Sequence, residues 1–155
     1  MSQATINGNE IFTTYGLTIM AGMETFLAYP KRKDSVSHDW PEEEGIDIDL
    51  SEPHFEAREF TLKVLLMGAD RADFKTKYYG LFAELSSANN MELYFTDIDQ
   101  TFTVYFKTQQ NVSKVKRRLD TQNVGVTFDL VFGESDPNDN IDVFIVTDLD
   151  EFIIA

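Results

Sequence analysis

Polar and apolar residues alternate most regularly along residues 55–67. Phe60, Leu62, Val64 and Leu66 alternate with Thr61, Lys63 and Leu65, the two-residue period of a pleated strand with one buried face. Gly68 ends the run, and the period then changes. Phe74, Tyr78, Leu81, Phe82 and Leu85 fall on one stripe of a helix. Asp70 is placed to cap that helix, and Asp73 lies in its first turn, where the helix dipole favours negative charge. No other stretch reads as a convincing helix. The pattern predicts an α+β, mainly β fold: a β-sandwich or barrel-like domain with one flanking α-helix.

The remaining segments read as strand or turn. Residues 6–12 carry an Asn7-Gly8 hairpin signal between apolar residues. Residues 13–20 read as a strand, with Gly16 marking a bulge or a close approach. Residues 23–29 read as a strand or one helical turn, with a strand favoured because Pro30 closes the run after seven residues. Residues 91–96 (MELYFT) and 101–108 (TFTVYFKT) form a hairpin, rich in Tyr, Phe, Thr and Val on both legs. Residues 112–132 return as one or two strands with Gly125 as a bulge. Residues 134–140 (ESDPNDN) are a turn-rich break. A strand at DVFIVT and an apolar tail at FIIA follow. That tail needs burial, against this chain or the next.

Residues 31–53 interrupt this regularity. They hold both signs of charge, two prolines and the only Trp. So long a structureless loop is uncommon in a compact domain, so the segment is either functional or partly a two-stranded arm. Ile46, Ile48 and Leu50 alternate with Asp47 and Asp49, as an arm strand with one polar face would. The organisation expected is a single domain over residues 1–155, with a protruding arm at 31–53 and an acidic C-terminal extension at 134–155.

Charge narrows the function classes. The chain of 155 residues carries a formal charge of −14. Binding to nucleic acid through phosphate needs clustered Lys and Arg, and the charge argues against it. After Arg118 there is no Lys or Arg, while acidic residues continue to Glu151. The one basic island is Lys114, Lys116, Arg117 and Arg118. The acidic surface either keeps the protein soluble or faces a basic partner or passing DNA. Without Cys there is no disulfide and no thiolate metal site. No signal peptide and no membrane-spanning run is read, so a soluble protein without membrane partners is expected.

No motif carries catalysis. Asp136, Asn138, Asn140 and Asp142 alternate like calcium-loop ligands, but Ile141 stands where the turn needs Gly, so they read as a polar turn. Asp47 and Asp49 share a strand face, as many pairs do in an acidic β-protein. His38 and His54 have no Cys to complete a zinc site. Ser35 and Ser37 lack a nucleophile-elbow setting. Trp40, in HDWPEEEG, serves either as a satellite core anchor or as a docking residue for a neighbouring subunit.

The first hundred residues resemble the N-terminal region of phage distal tail proteins, the ring proteins between a siphophage tail tube and its tip. The resemblance rests on Ile6-Asn7-Gly8, Tyr15-Gly16-Leu17, the acidic loop from Asp39-Trp40-Pro41 to Gly45, the strand at 58–66, the helix at 70–85 and the hairpin MELYFTDIDQTFTVYF. It implies a structural virion protein forming a homo-hexameric ring, distal tail or tail tube, around the DNA channel. It implies no enzyme activity and no cofactor or metal. The partners implied are further copies of the chain and other tail proteins such as tube, hub or tape measure. DNA passes through without specific binding, and assembly takes place in the host cytoplasm before the protein enters the virion tail. Six copies bring roughly −84 of charge, six times −14, which would repel phosphate from a lumen. Many members carry a second, C-terminal domain for which these residues leave no room. On this reading the subunit interface falls to Trp40, Pro41, Ile46, Ile48 and Leu50 on the arm, and to Phe152, Ile153 and Ile154 at the end. The alternatives are a tail terminator or connector ring protein, a carbohydrate-binding β-sandwich module, and an acid–base glycosidase using two of the carboxylates.

Overall fold

The long alternating run forms the strand on which the others are laid. In a computed structural model, which describes residues 3–87, 89–115 and 122–140, this strand is Glu59–Gly68 (β6). Phe60, Leu62, Val64 and Leu66 are all buried. β6 pairs antiparallel with Val124–Gly133 (β9) from Glu59↔Gly133 to Gly68↔Val124, without a break in register. Its other edge pairs with Leu17–Ala21 (β3). Gln100–Lys114 (β8) serves two neighbours: residues 100–104 pair with Met91–Phe95 (β7), and residues 105–114 pair with β9. Beyond β7 come Ala4–Ile6 (β1) and Asn9–Glu10 (β2), joined through Asn7 and Gly8, both at positive φ, as the Asn-Gly signal predicts. The strand order is β2-β1-β7-β8-β9-β6-β3.

This sheet curls round on itself. The Gln3 side chain accepts from the Ile19 N–H at 2.9 Å and donates to the Ile19 carbonyl at 3.3 Å. Gln3 precedes β1 and Ile19 lies in β3, five strand spacings apart in the order, or about 24 Å in a flat sheet. Only strong curvature brings them within hydrogen-bond distance.

Inside the curl sits an aromatic nucleus. Phe26 stacks on Phe60 with centroids 4.3 Å apart and meets Phe95 edge-on at 4.9 Å. Phe102 closes the group. The predicted helix is Arg71–Leu85 (α3). Asp70 caps it by accepting from the Asp73 N–H, and Lys77 pairs with Asp73 one turn on. Phe82 packs on Phe106 and Phe128, and Tyr78 on Phe128, so the stripe faces the sheet.

Three local expectations fail. Residues 13–20 are not one strand: Ile11–Tyr15 form a short helix (α1), capped by the Glu10 carboxylate on Phe12 N and Thr13 N and closed by Gly16 at φ +62. The Thr-rich stretch reads as strand, but a cap at each end decides otherwise. Gly16 is nevertheless a close approach, since a Cβ there would meet the Met67 carbonyl at 2.3 Å. Residues 23–29 take the helical-turn alternative over the favoured strand: Glu24–Leu27 (α2) form one helical turn that follows Gly22 at φ +102, with Thr25 N and Oγ1 both donating to the Gly22 carbonyl. This turn buries Phe26 and leaves Leu27 and Tyr29 exposed. Gly125 is no bulge. It pairs in register with Met67, and the irregularities fall in β8, between Phe106 and Thr108 and between Gln110 and Ser113.

Candidate interface on the protruding arm

Residues 31–56 leave the sheet and return to it as an arm. Its root is a bridge between Arg32 and Phe55, with Lys33 N donating to His54 O and Glu56 N to Lys31 O, each at 2.8 Å. Tyr29 packs edge-on against Phe55 at 5.6 Å. Farther out, Ser37–His38 (β4) pairs with Asp47–Ile48 (β5). The tip turns through Trp40 to Gly45, with Glu43 N donating to Trp40 O and Gly45 at φ +89.

A ladder of two residue pairs is too short to be stable alone in water. Among the described residues its apolar side chains are largely uncovered. Val36 is 71% exposed, Trp40 55%, Ile46 59%, Ile48 44% and Leu50 60%. Among the described aromatic rings Trp40 meets only His38, at 5.8 Å, and it does not join the core cluster. The arm thus gathers Trp40, Pro41, Ile46, Ile48 and Leu50 on one exposed projection, all of them exposed. Clustered exposed apolar groups mark interaction sites. Phe152, Ile153 and Ile154, and the acidic stretch from residue 141, lie outside the described residues.

The other candidates resolve toward structure. Asp49 accepts from Ser51 N at 3.0 Å and Ser51 Oγ at 2.6 Å. The Ser51 hydroxyl and then its N–H hold the Asp49 carboxyl below the ordinary range, opposite to what a general acid needs. Asp136 caps the Asn138 N–H, and Asn140 turns inward to Glu134 and to the Thr103 backbone. Asp142 lies outside the described residues. Among the described residues no group of three His, Asp or Glu could hold a metal ion, and no helix is long and apolar enough to cross a membrane.

Two surfaces escape a reading of periodicity. One is the outer edge of β8: β7 ends at Met91↔Val104, so beyond it β8 pairs only with β9 among the described residues, with Val112 57% exposed. The other is a groove on α3. Arg71, Phe74, Lys75, Tyr78, Tyr79 and Val124 enclose about 310 Å³. Phe74 and Tyr78 belong to the apolar stripe, but Tyr79 falls beside it and is 68% exposed. The adjacent Tyr78-Tyr79, one turn from Lys75 and two from Arg71, is the signal the stripe conceals.

Known proteins constrain this fold in one way. No family model matches the chain, and no curated protein matches it in sequence. Over 88% of its length the chain is similar in structure to SPP1 Dit (gp 19.1), a protein termed a paradigm of the hub adsorption apparatus in Gram-positive-infecting phages. The TM-score is 0.57 at 15% sequence identity. The chain spans about half the length of that protein, 51%.

Proposed function

We propose that this chain is a structural protein of the tail of a tailed phage or prophage, a protomer that joins copies of itself into a ring. The observation that carries the proposal is the arm: a projection whose apolar residues are largely uncovered among the described residues, on a fold similar to that of SPP1 Dit. A solitary soluble domain gains nothing from holding Trp40, Ile46, Ile48 and Leu50 in water. A protomer that lays them on its neighbour does.

The finer reading is a homo-hexamer of the distal-tail or tail-tube type, acting by assembly and without catalysis or cofactor. Its partners are the adjoining tail proteins, and its place is the virion tail. DNA passes through its centre without adsorbing, because the protomer's charge of −14 repels phosphate. The whole chain, residues 1–155, acts as one ring-forming unit.

Negative-stain microscopy of the purified protein at rising concentration tests this. Rings with a central hole, or stacks of them, are expected. Single small particles at every concentration would overturn the proposal.

A further inference from the structure

The arm tip and the groove on α3 are complementary in chemistry, and the arm is rooted at the end of β6 opposite the groove. We infer that the tip of one copy docks in the α3 groove of the next, with Trp40 against Phe74, Tyr78 and Tyr79. This rests on the self-assembly proposed above and specifies the contact that drives it.

The chemistry matches on two counts. The groove offers aromatic faces, and Trp40 is an exposed aromatic at the end of a projection. The groove is also flanked by cations. Arg71 and Lys75 are exposed and make no ion pair among the described residues. The carboxylates near them are occupied: Asp70 accepts from the Asp73 N–H, and Asp73 accepts from Lys77 and from Ala69 N. Next to Trp40 the tip carries Glu42, Glu43 and Glu44, all exposed. In so acidic a chain, an unpaired cationic rim around an aromatic groove selects an acidic partner bearing an aromatic, and the chain displays such a segment itself.

Geometry makes the contact intermolecular. The arm root at Phe55 lies before the start of β6, and the groove lies past its end, where Gly68 pairs with Val124. The ten residues of β6 separate the two by roughly 30 Å. An arm rooted at one end of β6 and a groove past its other end give a head-to-tail contact between copies, which closes into a ring when the rotation permits.

The chain has no Cys, so introduced thiols are unique. The test is a double variant, Asp39→Cys with Thr76→Cys, exposed positions beside Trp40 and one turn before Tyr79 that leave both aromatics in place, treated with a short bismaleimide. Each thiol adds across one maleimide double bond, so no oxidant is needed. The expected result is a ladder of covalent multimers on a denaturing gel, absent from either single variant. In parallel, Arg71→Glu with Lys75→Glu should raise the concentration for half-assembly tenfold or more, and adding Glu42→Lys, Glu43→Lys and Glu44→Lys should restore it. If rings form but the double-cysteine chain stays monomeric on the gel and the charge reversal moves nothing, this contact is wrong and the ring reading stands. A covalent product that stops at two chains also overturns it, because a head-to-tail contact propagates. If the unmodified protein never assembles, both readings fall together.

Discussion

Arg58 and Glu134 form a bidentate ion pair where β6 begins and β9 ends. Arg58 Nε lies 2.7 Å from Glu134 Oε1 and Nη2 lies 2.9 Å from Oε2, while the Arg58 backbone N–H also donates to Oε1. The Glu134 side chain is fully buried and that of Arg58 nearly so. The remaining guanidinium nitrogen donates to Ala28 O at 2.6 Å, and the cation lies 5.0 Å from the Phe60 ring centroid. Arg58 stands three residues past Phe55, so the pair anchors the root of the arm to the core. Arg58→Ala leaves a buried carboxylate without its cation and is expected to cost about 3–5 kcal/mol. A chemical denaturation curve checks this, and a loss below about 1 kcal/mol would show that the pair is not the anchor.

The same carboxylate gives a pH dependence. Burial pushes Glu134 upward, but hydrogen bonds and charge from Arg58, with a hydrogen bond from Asn140, outweigh it and hold the group below its ordinary 4.5. The unfolded chain therefore binds the proton more readily than the folded one. The contribution is fully present above pH 4.5 and is lost as the pH falls through the lower folded value. Melting temperatures of Glu134→Gln and the unmodified chain should differ most at neutral pH and converge in acid. Parallel curves down to strong acid would contradict the assignment.

Phe26 is the residue that a strand reading misplaces, and its burial is testable. Phe26→Ala should destabilise the protein by about 3–5 kcal/mol, as removal of a fully buried ring does. Leu27→Ala, the next residue and half exposed, should cost under about 1 kcal/mol. A strand with alternating faces would allow the same contrast, so the decisive partner is Gly22. Gly22→Ala meets the Thr61 carbonyl at 2.1 Å and a φ of +102, and should unfold the turn. A melt within a degree or two of the unmodified chain would mean the turn is not held as described.

Gly16→Ala should likewise cost more than the roughly 1 kcal/mol of a left-handed alanine, because its Cβ also collides with the Met67 carbonyl. An unchanged melting temperature would show that Gly16 is not packed against Met67 of β6 as described.

The central strand and α3 were legible because their periods are long and their apolar residues large. Phe60 to Leu66 and Phe74 to Leu85 face inward as alternation and the helical stripe predict. The two short helices were not legible. Each spans about one turn, too short for a period to emerge, and is decided by single capping groups, the Glu10 carboxylate and the Gly22 carbonyl. Glu134 read as part of a polar turn, because nothing in ESDPNDN reveals that Arg58 reaches it from 76 residues away. On the arm, Ile46, Ile48 and Leu50 alternate with Asp47 and Asp49, and all five are exposed. That these apolar residues are bare could be learned only from coordinates, since a buried and an exposed apolar strand share one pattern. The groove at Tyr79 was hidden for the converse reason: it takes residues from two elements, α3 and β9.

Trp40→Ala separates fold from assembly. Trp40 touches only His38 among described aromatic rings, so the monomer's stability should change by no more than about 0.5 kcal/mol. Assembly should weaken by tenfold or more. A large fall in monomer stability would instead make Trp40 a packing residue.

Light scattering on the size-exclusion eluate tests self-assembly most directly. The account predicts a species near 106 kDa, six times the 17.7 kDa chain, growing with concentration and lost in Trp40→Ala. A mass of 17.7 kDa at every concentration would contradict it.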